Sequence, residues 1–344
     1  MLAYIKRRKF MRKKWNAPMW GGGIFSENIE SAMKTFLTAE ELSDVSLVKK
    51  LTKDIVNSYI KYGTTPQEYF LFGFRHEGHE RRKKFLCNSY KDKLMLKAVG
   101  AKRYALELRD KYAFYQRYSS FFKRDVCRIV DIEDKSEFIR FCSLHPDFIA
   151  KPLGGMCGVG CHVVRGVDNP EAMFEELSAK GTWIIEELII QHESMSAWND
   201  SSVNTVRIPS FLNSQGFHVL KPFFRTGRKG SVVDNAAQGG LFAIVDEKTG
   251  VLLTDGTTEF GGCHQNHPDS GLKFKGWQVP QWEQLLKIAE EAHRILPHYP
   301  YIGWDFAYTD AGWVLIEGDW GQFVSEFNDR EGIKETFEKL VEVK

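Results

Sequence analysis

The spacing of apolar residues divides the chain into a helical first third and a mixed remainder. Between about residues 28 and 85, apolar positions recur at helical spacing, and capping boxes at Thr38 and Thr65 mark two helix starts. After about residue 105, short apolar runs alternate with helical segments, and residues 204–253 show the alternation typical of antiparallel strands. The pattern predicts an α+β protein whose N-terminal region is mostly helical.

Individual elements can be placed in the second part of the chain. We expect strands at 126–132, 148–151, 162–165 and 183–190, antiparallel strands at 204–212, 217–226 and 240–253, and helices at 134–144 and 170–177. The run from Trp282 to Leu296 keeps its apolar residues on one stripe, which predicts a long amphipathic helix. Because no repeat or low-complexity linker stands out, we expect the helical first third and the mixed remainder of the chain to form lobes in close contact.

Residues 301–319 predict a β-hairpin that carries three carboxylates. A turn signal at 310–312 lies between two β-rich runs, and a three-residue loop there places Asp305 opposite Glu317. Side chains alternate along a strand, so Glu317 and Asp319 share a face with Asp305. Such carboxylates repel each other unless a cation lies between them, and oxygen ligands of this kind suit Mg²⁺. A solvated hairpin face with unrelated acids is the alternative.

The segment from Lys151 to Gly160 combines a strand end, a lysine and four glycines. Glycines allow backbone N–H groups to approach phosphate oxygens, and the lysine adds a positive charge. The segment is neither a Walker A loop nor a dinucleotide-binding fingerprint, because the required Lys-Ser/Thr pair and helix-opening glycine pattern do not occur. It predicts a phosphate-binding loop, with a tight β-turn as the structural alternative.

Charge is distributed unevenly, although the formal net charge is only +2. Residues 1–126 hold 27 Lys and Arg against 13 Asp and Glu, whereas residues 127–344 hold 20 against 32. The basic part favours an anionic partner and the acidic part a metal site. Contact between the two oppositely charged parts would explain the same asymmetry.

The N-terminal residues 1–15 are strongly basic and interleaved with apolar side chains. Peripheral contact with an anionic membrane is one interpretation, and a solvated terminus is the other. The sequence has no run of 18 apolar residues, no secretory h-region and no disulfide-like cysteine spacing. We therefore expect a cytoplasmic protein, either free or peripheral at the inner membrane face.

The order of these features resembles the ATP-grasp superfamily, specifically the sugar-transfer-associated ATP-grasp proteins. A lysine-bearing glycine loop is followed by an apolar strand with acids and later by a carboxylate hairpin. The resemblance covers about residues 64–330 and implies an ATP-grasp fold with two α+β lobes that clamp ATP. We expect a helical basic domain at 1–105, an N-lobe at 106–190 and a C-lobe at 191–344. Many ATP-grasp enzymes instead begin with a Rossmann-like substrate domain.

The resemblance also implies a set of nucleotide-binding residues. They comprise two lysines, the glycine loop, an adenine-binding hinge and a ribose-binding acid. These are Lys111, Lys151, Gly154, Gly155, Gly158, Glu186, Glu187, Ile189 and Glu193. By the same resemblance, Asp305, Glu317 and Asp319 bind Mg²⁺, although many family members carry Asn at the last position.

Two arginines and one loop are implied to act on the substrate side. Arg225 resembles the arginine beside the transferring phosphoryl group, and Arg207 would position the acceptor carboxylate or the phosphates. Asn235, Gly239 and Gly240 resemble the substrate loop. Lys151, Arg207 and Arg225 are thus the expected catalytic residues, and pairing of either arginine with a neighbouring acid is the structural alternative.

These inferences predict an ATP- and Mg²⁺-dependent carboxylate–amine ligase that forms an amide through an acyl-phosphate. From the family's association with sugar transfer, we expect an amino acid or small amine to be joined to a sugar acid of a surface polysaccharide, such as a capsule or exopolysaccharide. An anionic glycan or sugar nucleotide would suit the basic part of the chain. Two alternatives are a kinase for a sugar or polyol hydroxyl and a non-catalytic nucleotide-binding scaffold. We expect no nucleic-acid partner, because aromatic residues do not interleave with the basic ones beyond residue 20.

Overall fold

The computed structural model describes residues 25–154, 158–236, 239–259, 261–321, 323 and 331–341. The helices are α1 (Phe25–Phe36), α2 (Ala39–Ser43), α3 (Val45–Tyr62), α4 (Pro66–Leu71), α5 (His79–Arg82), α6 (Asn88–Val99), α7 (Ala101–Tyr104), α8 (Lys111–Phe122), α9 (Lys135–Leu144), α10 (Pro170–Lys180), α11 (Glu193–Ser196), α12 (Trp282–His293) and α13 (Lys334–Val341). The strands are β1 (Val126–Ile129), β2 (Phe148–Pro152), β3 (His162–Val164), β4 (Trp183–Glu187), β5 (Thr205–Asn213), β6 (Gly216–Val219), β7 (Phe223–Thr226), β8 (Leu241–Ile244), β9 (Gly256–Thr258), β10 (Cys263–His264), β11 (Tyr301–Thr309) and β12 (Gly312–Asp319). The expected α+β class and helical N-terminal region are confirmed.

Local signals explain the helical region before α8. Thr38 and Thr65 each cap a helix, and in both capping boxes the glutamate three residues later bonds back to the cap backbone. Pro66 occupies the first turn of α4, where its missing N–H costs nothing. Helix α3 ends at Gly63, which adopts the left-handed conformation with φ of 75°.

The strands form two antiparallel sheets. The smaller sheet has the order β1-β4-β2-β3, and the larger has the order β10-β9-β8-β7-β5-β11-β12, with β6 paired to β5. Strands β5 and β11 pair with Arg207 opposite Asp305 and Phe211 opposite Tyr301. The predicted site residues of the larger sheet therefore lie on the adjacent strands β7, β5 and β11 and on the edge strand β12.

Several expected strands end earlier than the sequence pattern indicates. The segment expected at 183–190 is a strand only to Glu187, and residues 188–190 lead to a bridge between Gln191 and Thr309 at the larger sheet. Strand β1 ends at Ile129, because a side-chain cap at Asp131 starts a short 3₁₀ turn. The segment expected at 240–253 likewise divides into β8 and a return segment. Apolar content alone did not separate these strands from their connections.

The hydrophobic core extends across all parts of the described chain. One cluster joins the end of the helical region to the larger sheet and α12, and it includes Met95, Tyr104, Trp304 and Phe337. A second cluster packs the first helices against β7 and β8, and a third lies under the smaller sheet with α9 and α10. The predicted boundaries at residues 105 and 190 remain a proposal.

Two further expectations concern the whole chain. No helix among the described residues has the length and apolar character needed to cross a membrane. The cysteines that the structure describes in full, at positions 87, 127, 142, 161 and 263, form no disulfide. The basic segment at residues 1–15 lies outside the described residues.

Candidate nucleotide and metal site

In the carboxylate hairpin Asp305 and Glu317 face each other as expected, but the loop length and the strand register differ from the prediction. The loop contains two residues rather than three, because Thr309 pairs with Gly312. The ladder then shifts by one residue between Asp305 and Phe306, so that Ile316 is an extra residue in a β-bulge. The bulge restores the pairing of Asp305 with Glu317. Without it, Ile316 would lie opposite Asp305.

Asp305 is fully buried and binds two arginines. Arg207 donates from Nε to Oδ1 at 2.6 Å and from Nη2 to Oδ2 at 2.5 Å. Arg225 approaches Oδ2 with Nη2 at 2.7 Å. Burial alone would raise the pKa of Asp305, but the two guanidinium groups outweigh it and hold the pKa below its usual value. Both arginines therefore pair with an acid, which is the structural alternative to a role in substrate binding.

Arg225 has a second set of partners that the sequence did not identify as functional. Its Nε donates to Thr205 Oγ1 at 2.9 Å and lies 3.3 Å from Asp234 Oδ2. The Thr205 hydroxyl in turn donates to Asp234. Burial raises the pKa of Asp234, although Arg225 acts in the opposite direction. Asp234 directly precedes Asn235 of the predicted substrate loop, but the sequence analysis did not include this carboxylate among the candidates.

Glu317 and Asp319 are the more accessible members of the acidic face. Their side chains are 51% and 38% exposed, whereas that of Asp305 is 0% exposed. Partial loss of solvation and repulsion from Asp305 and Asp319 raise the pKa of Glu317, although half of its side chain is exposed. A carboxylate that is repelled by its neighbours and open on one side suits a divalent cation.

Lys151 lies at the end of β2 and forms a buried ion pair. Its Nζ is 2.6 Å from Glu186 Oε1, while Arg124 donates from Nη2 to Glu186 Oε2 at 2.6 Å. Burial alone would raise the pKa of Glu186, but Lys151 and Arg124 lower it to about 2. Arg124 also donates to Leu315 O at 2.7 Å, which ties the smaller sheet to the acidic hairpin.

Lys111 connects the glycine loop with the acidic face. Its ammonium group donates to Pro152 O at 2.9 Å and to Leu153 O at 3.2 Å, at the start of the loop. Burial lowers the pKa of Lys111, and the nearby charge of Glu317 opposes this effect. Lys111 therefore contacts the end of β2, directly after Lys151.

The remaining nucleotide-binding candidates lie along the connection between the sheets. Glu186 lies inside β4, as the expected strand at 183–190 implied, and β4 pairs with strands on both sides. Glu187 ends β4 and accepts a hydrogen bond from Asp125 N. Ile189 lies in the linker at 188–190, and exposed Glu193 opens α11.

Glycines shape both predicted loops. Gly154 lies in the turn after β2 and Gly158 has φ of 69°, whereas Gly155 is outside the described residues. In the substrate-side loop, Gly240 N donates to Asn235 O at 3.2 Å, and Gly239 has φ of 91°. A Cβ on Gly240 would lie 2.3 Å from a backbone oxygen, so only glycine fits there. The binding roles of these residues remain predictions.

A separate cavity of about 350 Å³ lies beside the start of α8. Tyr112, Arg128 and Thr182 are among its lining residues, whereas the three carboxylates of the hairpin and the two predicted lysines do not line it. It is therefore distinct from the charged cleft. The converging charges, not the volume of this cavity, identify the candidate site.

Comparisons with known proteins agree with this fold. Residues 81–340 match the model of the family described as sugar-transfer associated ATP-grasp. No curated protein sequence matches the chain. Similar solved structures include a D-alanine–D-alanine ligase from Bacillus anthracis complexed with ATP, at 13% identity and a TM-score of 0.41, covering 68% of this chain and 64% of that one.

Two other solved structures have comparable similarity. An N5-carboxyaminoimidazole ribonucleotide synthetase in complex with ADP has 10% identity and a TM-score of 0.41, over 64% of this chain and 46% of that one. An L-amino acid ligase from Bacillus licheniformis has 11% identity and a TM-score of 0.39, over 64% of this chain and 42% of that one. The chain thus spans less than two thirds of the length of each of these three structures. The family match covers most of the chain, and the protein belongs to the sugar-transfer-associated ATP-grasp family.

Proposed function

We propose that the protein is an ATP-dependent ligase that activates a carboxylate as an acyl-phosphate and transfers the acyl group to an amine. The observation that carries the proposal is a set of linked contacts. Arg225 binds Asp305 of the acidic hairpin, and Lys151 shares Glu186 with Arg124, which bonds to Leu315 O of the same hairpin. Lys111 bonds to the start of the glycine loop, and together these groups would line one cleft. Three cations are suited to polyphosphate, and an adjacent carboxylate face is suited to its counter-ion. Family membership supports nucleotide binding at this cleft.

Mg²⁺ fits the acidic face, since Glu317 is repelled by its neighbours and is accessible. Asp305, Glu317 and Asp319 would hold the ion, which would offset phosphate charge when bound. Asp305 has a further role, because its two oxygens also hold Arg207 and Arg225. The carboxylate thereby fixes both guanidinium groups at the centre of the cleft.

The proposed reaction has two transfers. An oxygen of the substrate carboxylate attacks the γ-phosphorus of ATP, the bond to the β-phosphate oxygen breaks, and ADP leaves. Lys111, Lys151 and Arg225 offset the negative charge on the phosphates. The amine nitrogen then attacks the acyl carbon, phosphate leaves, and the nitrogen releases a proton to solvent to give the amide. Positioning and electrostatics supply most of the rate in such a site.

We propose a sugar acid as the carboxylate substrate and an amino acid or small amine as the acceptor. The family's association with sugar transfer supports a role in surface polysaccharide synthesis. The excess of basic residues in the first part of the chain would favour an anionic glycan or sugar nucleotide. Arg207 would orient the carboxylate by its planar, two-pronged hydrogen bonding.

Trapping with hydroxylamine tests the ligase chemistry. The protein is incubated with ATP, Mg²⁺, hydroxylamine and a panel of sugar acids, and both ADP and hydroxamate are measured. We expect stoichiometric hydroxamate and ADP with a cognate acid, and a loss of roughly 100-fold or more in Glu317→Gln, since removing a catalytic charge in such sites costs this much. Glu335→Gln, which changes an exposed glutamate of α13, serves as the matched control.

Other outcomes of this experiment identify the rival functions. A phosphorylated sugar without hydroxamate would assign the protein as a kinase. Nucleotide binding without ADP release across sugar acids and sugars would favour the scaffold. Full activity in Glu317→Gln would contradict the metal-binding role of the hairpin.

A further inference from the structure

Lys91 of α6 is a buried cation that the proposed reaction does not use. Only 2% of the residue is exposed. Its Nζ donates to Trp320 O at 2.6 Å and to Gly321 O at 2.7 Å, while a carboxylate oxygen of Asp92 is 3.9 Å away. Burying an ammonium group is costly unless its hydrogen bonds are satisfied, so this arrangement constrains the two carbonyls strongly.

The segment that Lys91 binds follows directly on the acidic strand β12. Tyr104 of the helical region stacks on Trp320, with ring centroids 3.5 Å apart and an interplanar angle of 9°. The Tyr301 hydroxyl donates to Gly321 O at 3.1 Å. The carbonyl of Gly321 is therefore held from the helical region and from β11 at the same time.

The same Gly321 residue orients Asp319. Its N–H donates to Asp319 Oδ1 at 2.6 Å, and this oxygen lies 3.4 Å from Arg207 Nη1. A Cβ on Gly321 would lie 2.3 Å from Arg207 Nη1, so the segment fits closely against the arginine. A short chain of contacts thus runs from the Lys91 ammonium through Gly321 to the Asp319 carboxylate.

Charged groups of both signs surround this chain of contacts. Asp305, Glu317 and Asp319 contribute three carboxylates, and the buried cations Arg207, Arg225 and Lys91 lie among them. Burial lowers the pKa of Lys91, and the charges of Asp92 and Asp319 oppose this effect.

We propose that Lys91 is a positioning residue of the metal-nucleotide centre, which fixes the Trp320–Gly321 segment so that Gly321 holds the Asp319 carboxylate toward the cleft. The helical region is then part of this centre rather than an appended domain. The inference rests on the proposed function for its catalytic meaning, whereas the contact between Lys91 and the Trp320–Gly321 segment stands without it.

Binding measurements with and without metal test the positioning role. We expect Lys91→Met to weaken binding of ADP in the presence of Mg²⁺ at least tenfold, while binding of ADP in EDTA changes less than twofold. Lys97→Met, on the exposed side of the same helix, should bind like the native protein in both conditions. Unchanged binding of Mg²⁺–ADP in Lys91→Met, or an equal loss in both conditions, overturns the proposal.

A stability cycle separates this proposal from the proposed function. Thermal midpoints are measured without nucleotide for Lys91→Met, Asp319→Asn and the double variant. We expect the loss caused by Lys91→Met to shrink by at least half in the Asp319→Asn background, because a neutral amide at this position needs no compensating charge; additive losses overturn the coupling. Should Lys91→Met not fold, Lys91→Gln, which keeps an N–H donor, replaces it in both experiments. A native protein that does not bind Mg²⁺–ADP refutes the proposed function, and the cycle still decides the role of Lys91.

Discussion

Asp305 shows how a residue acquires a second role in the folded protein. In the sequence it is one of three acids with the spacing of a metal site, and Arg207 and Arg225 lie about 100 and 80 residues away. In the structure it receives both guanidinium groups. A buried carboxylate needs such partners, since an unpaired charge would be strongly destabilising. The residue types were predictable, but their pairing was not.

His293 provides a test of residue-scale electrostatics by pH. It is fully buried, its Nε2 is 2.9 Å from Tyr299 O and its Nδ1 is 2.7 Å from Ser210 Oγ. Burial lowers its pKa to about 4. Because the pKa of His293 is lower in the folded state than in the unfolded state, the unfolded state takes up the proton first as the pH falls. The free energy of unfolding is therefore unaffected by this residue above about pH 6.5 and decreases by about 3 kcal/mol as the pH falls toward 4.

We therefore expect the free energy of unfolding to fall less steeply between pH 6.5 and pH 4 in His293→Gln than in the native protein. The slope of the unfolding free energy against pH reports how many protons are taken up on unfolding, and this number should differ by nearly one between the two proteins. Urea denaturation at several pH values measures the slopes. His218→Gln, at a partly exposed position, is the control. Parallel pH profiles for native protein and His293→Gln would contradict the prediction.

The acidic hairpin depends on close packing against α8. The backbone of Gly318 lies between Glu317 and Asp319, and a Cβ there would come within 2.9 Å of Trp304 and 3.2 Å of Phe114. Both rings are buried in the main core. The strand that bears the carboxylates thus approaches the helix more closely than a side chain would allow.

Gly318→Ala should destabilise the protein by about 1–3 kcal/mol, because the added methyl group overpacks a rigid core. Chemical denaturation measures the loss. Gly78→Ala is the matched control, since a Cβ at Gly78 meets nothing within 4 Å and φ there is −83°. Equal stability of the two variants would show that the hairpin can move away from α8.

On the scale of the whole molecule, Arg124 joins the two sheets. It donates to Glu186 of the smaller sheet and to Leu315 O of the larger one, and its side chain is only 4% exposed. The same glutamate binds Lys151, so the lysine proposed to bind phosphate and the contact between the two sheets depend on one buried carboxylate. The relative position of the lobes is therefore coupled to the charge of the cleft.

Replacing Arg124 by methionine should lower the free energy of unfolding by roughly 3 kcal/mol, because Glu186 loses a buried partner and retains only Lys151. Urea denaturation measures this loss. Nucleotide affinity should fall with it, because Lys151 becomes the remaining cation that neutralises Glu186 and is less available to a phosphate. Arg140→Met, at an exposed position of α9, is the control. A stability loss no greater than that of the control would contradict the bridging role.

The sequence by itself determined the helix caps at Thr38 and Thr65, the α+β class and the facing pair Asp305 and Glu317. These features depend on residues close along the chain, or on the two-residue alternation of a strand, which a linear pattern records. The bulge at Ile316 shows the limit of such a pattern. The sequence analysis expected a three-residue loop and no bulge, and these two errors cancelled to give the correct facing pair. Tertiary structure alone decided the contacts among the buried charges and the contribution of the helical region through Lys91. Such contacts join distant segments, and they depend on strand order and on the exclusion of water, which no local pattern encodes.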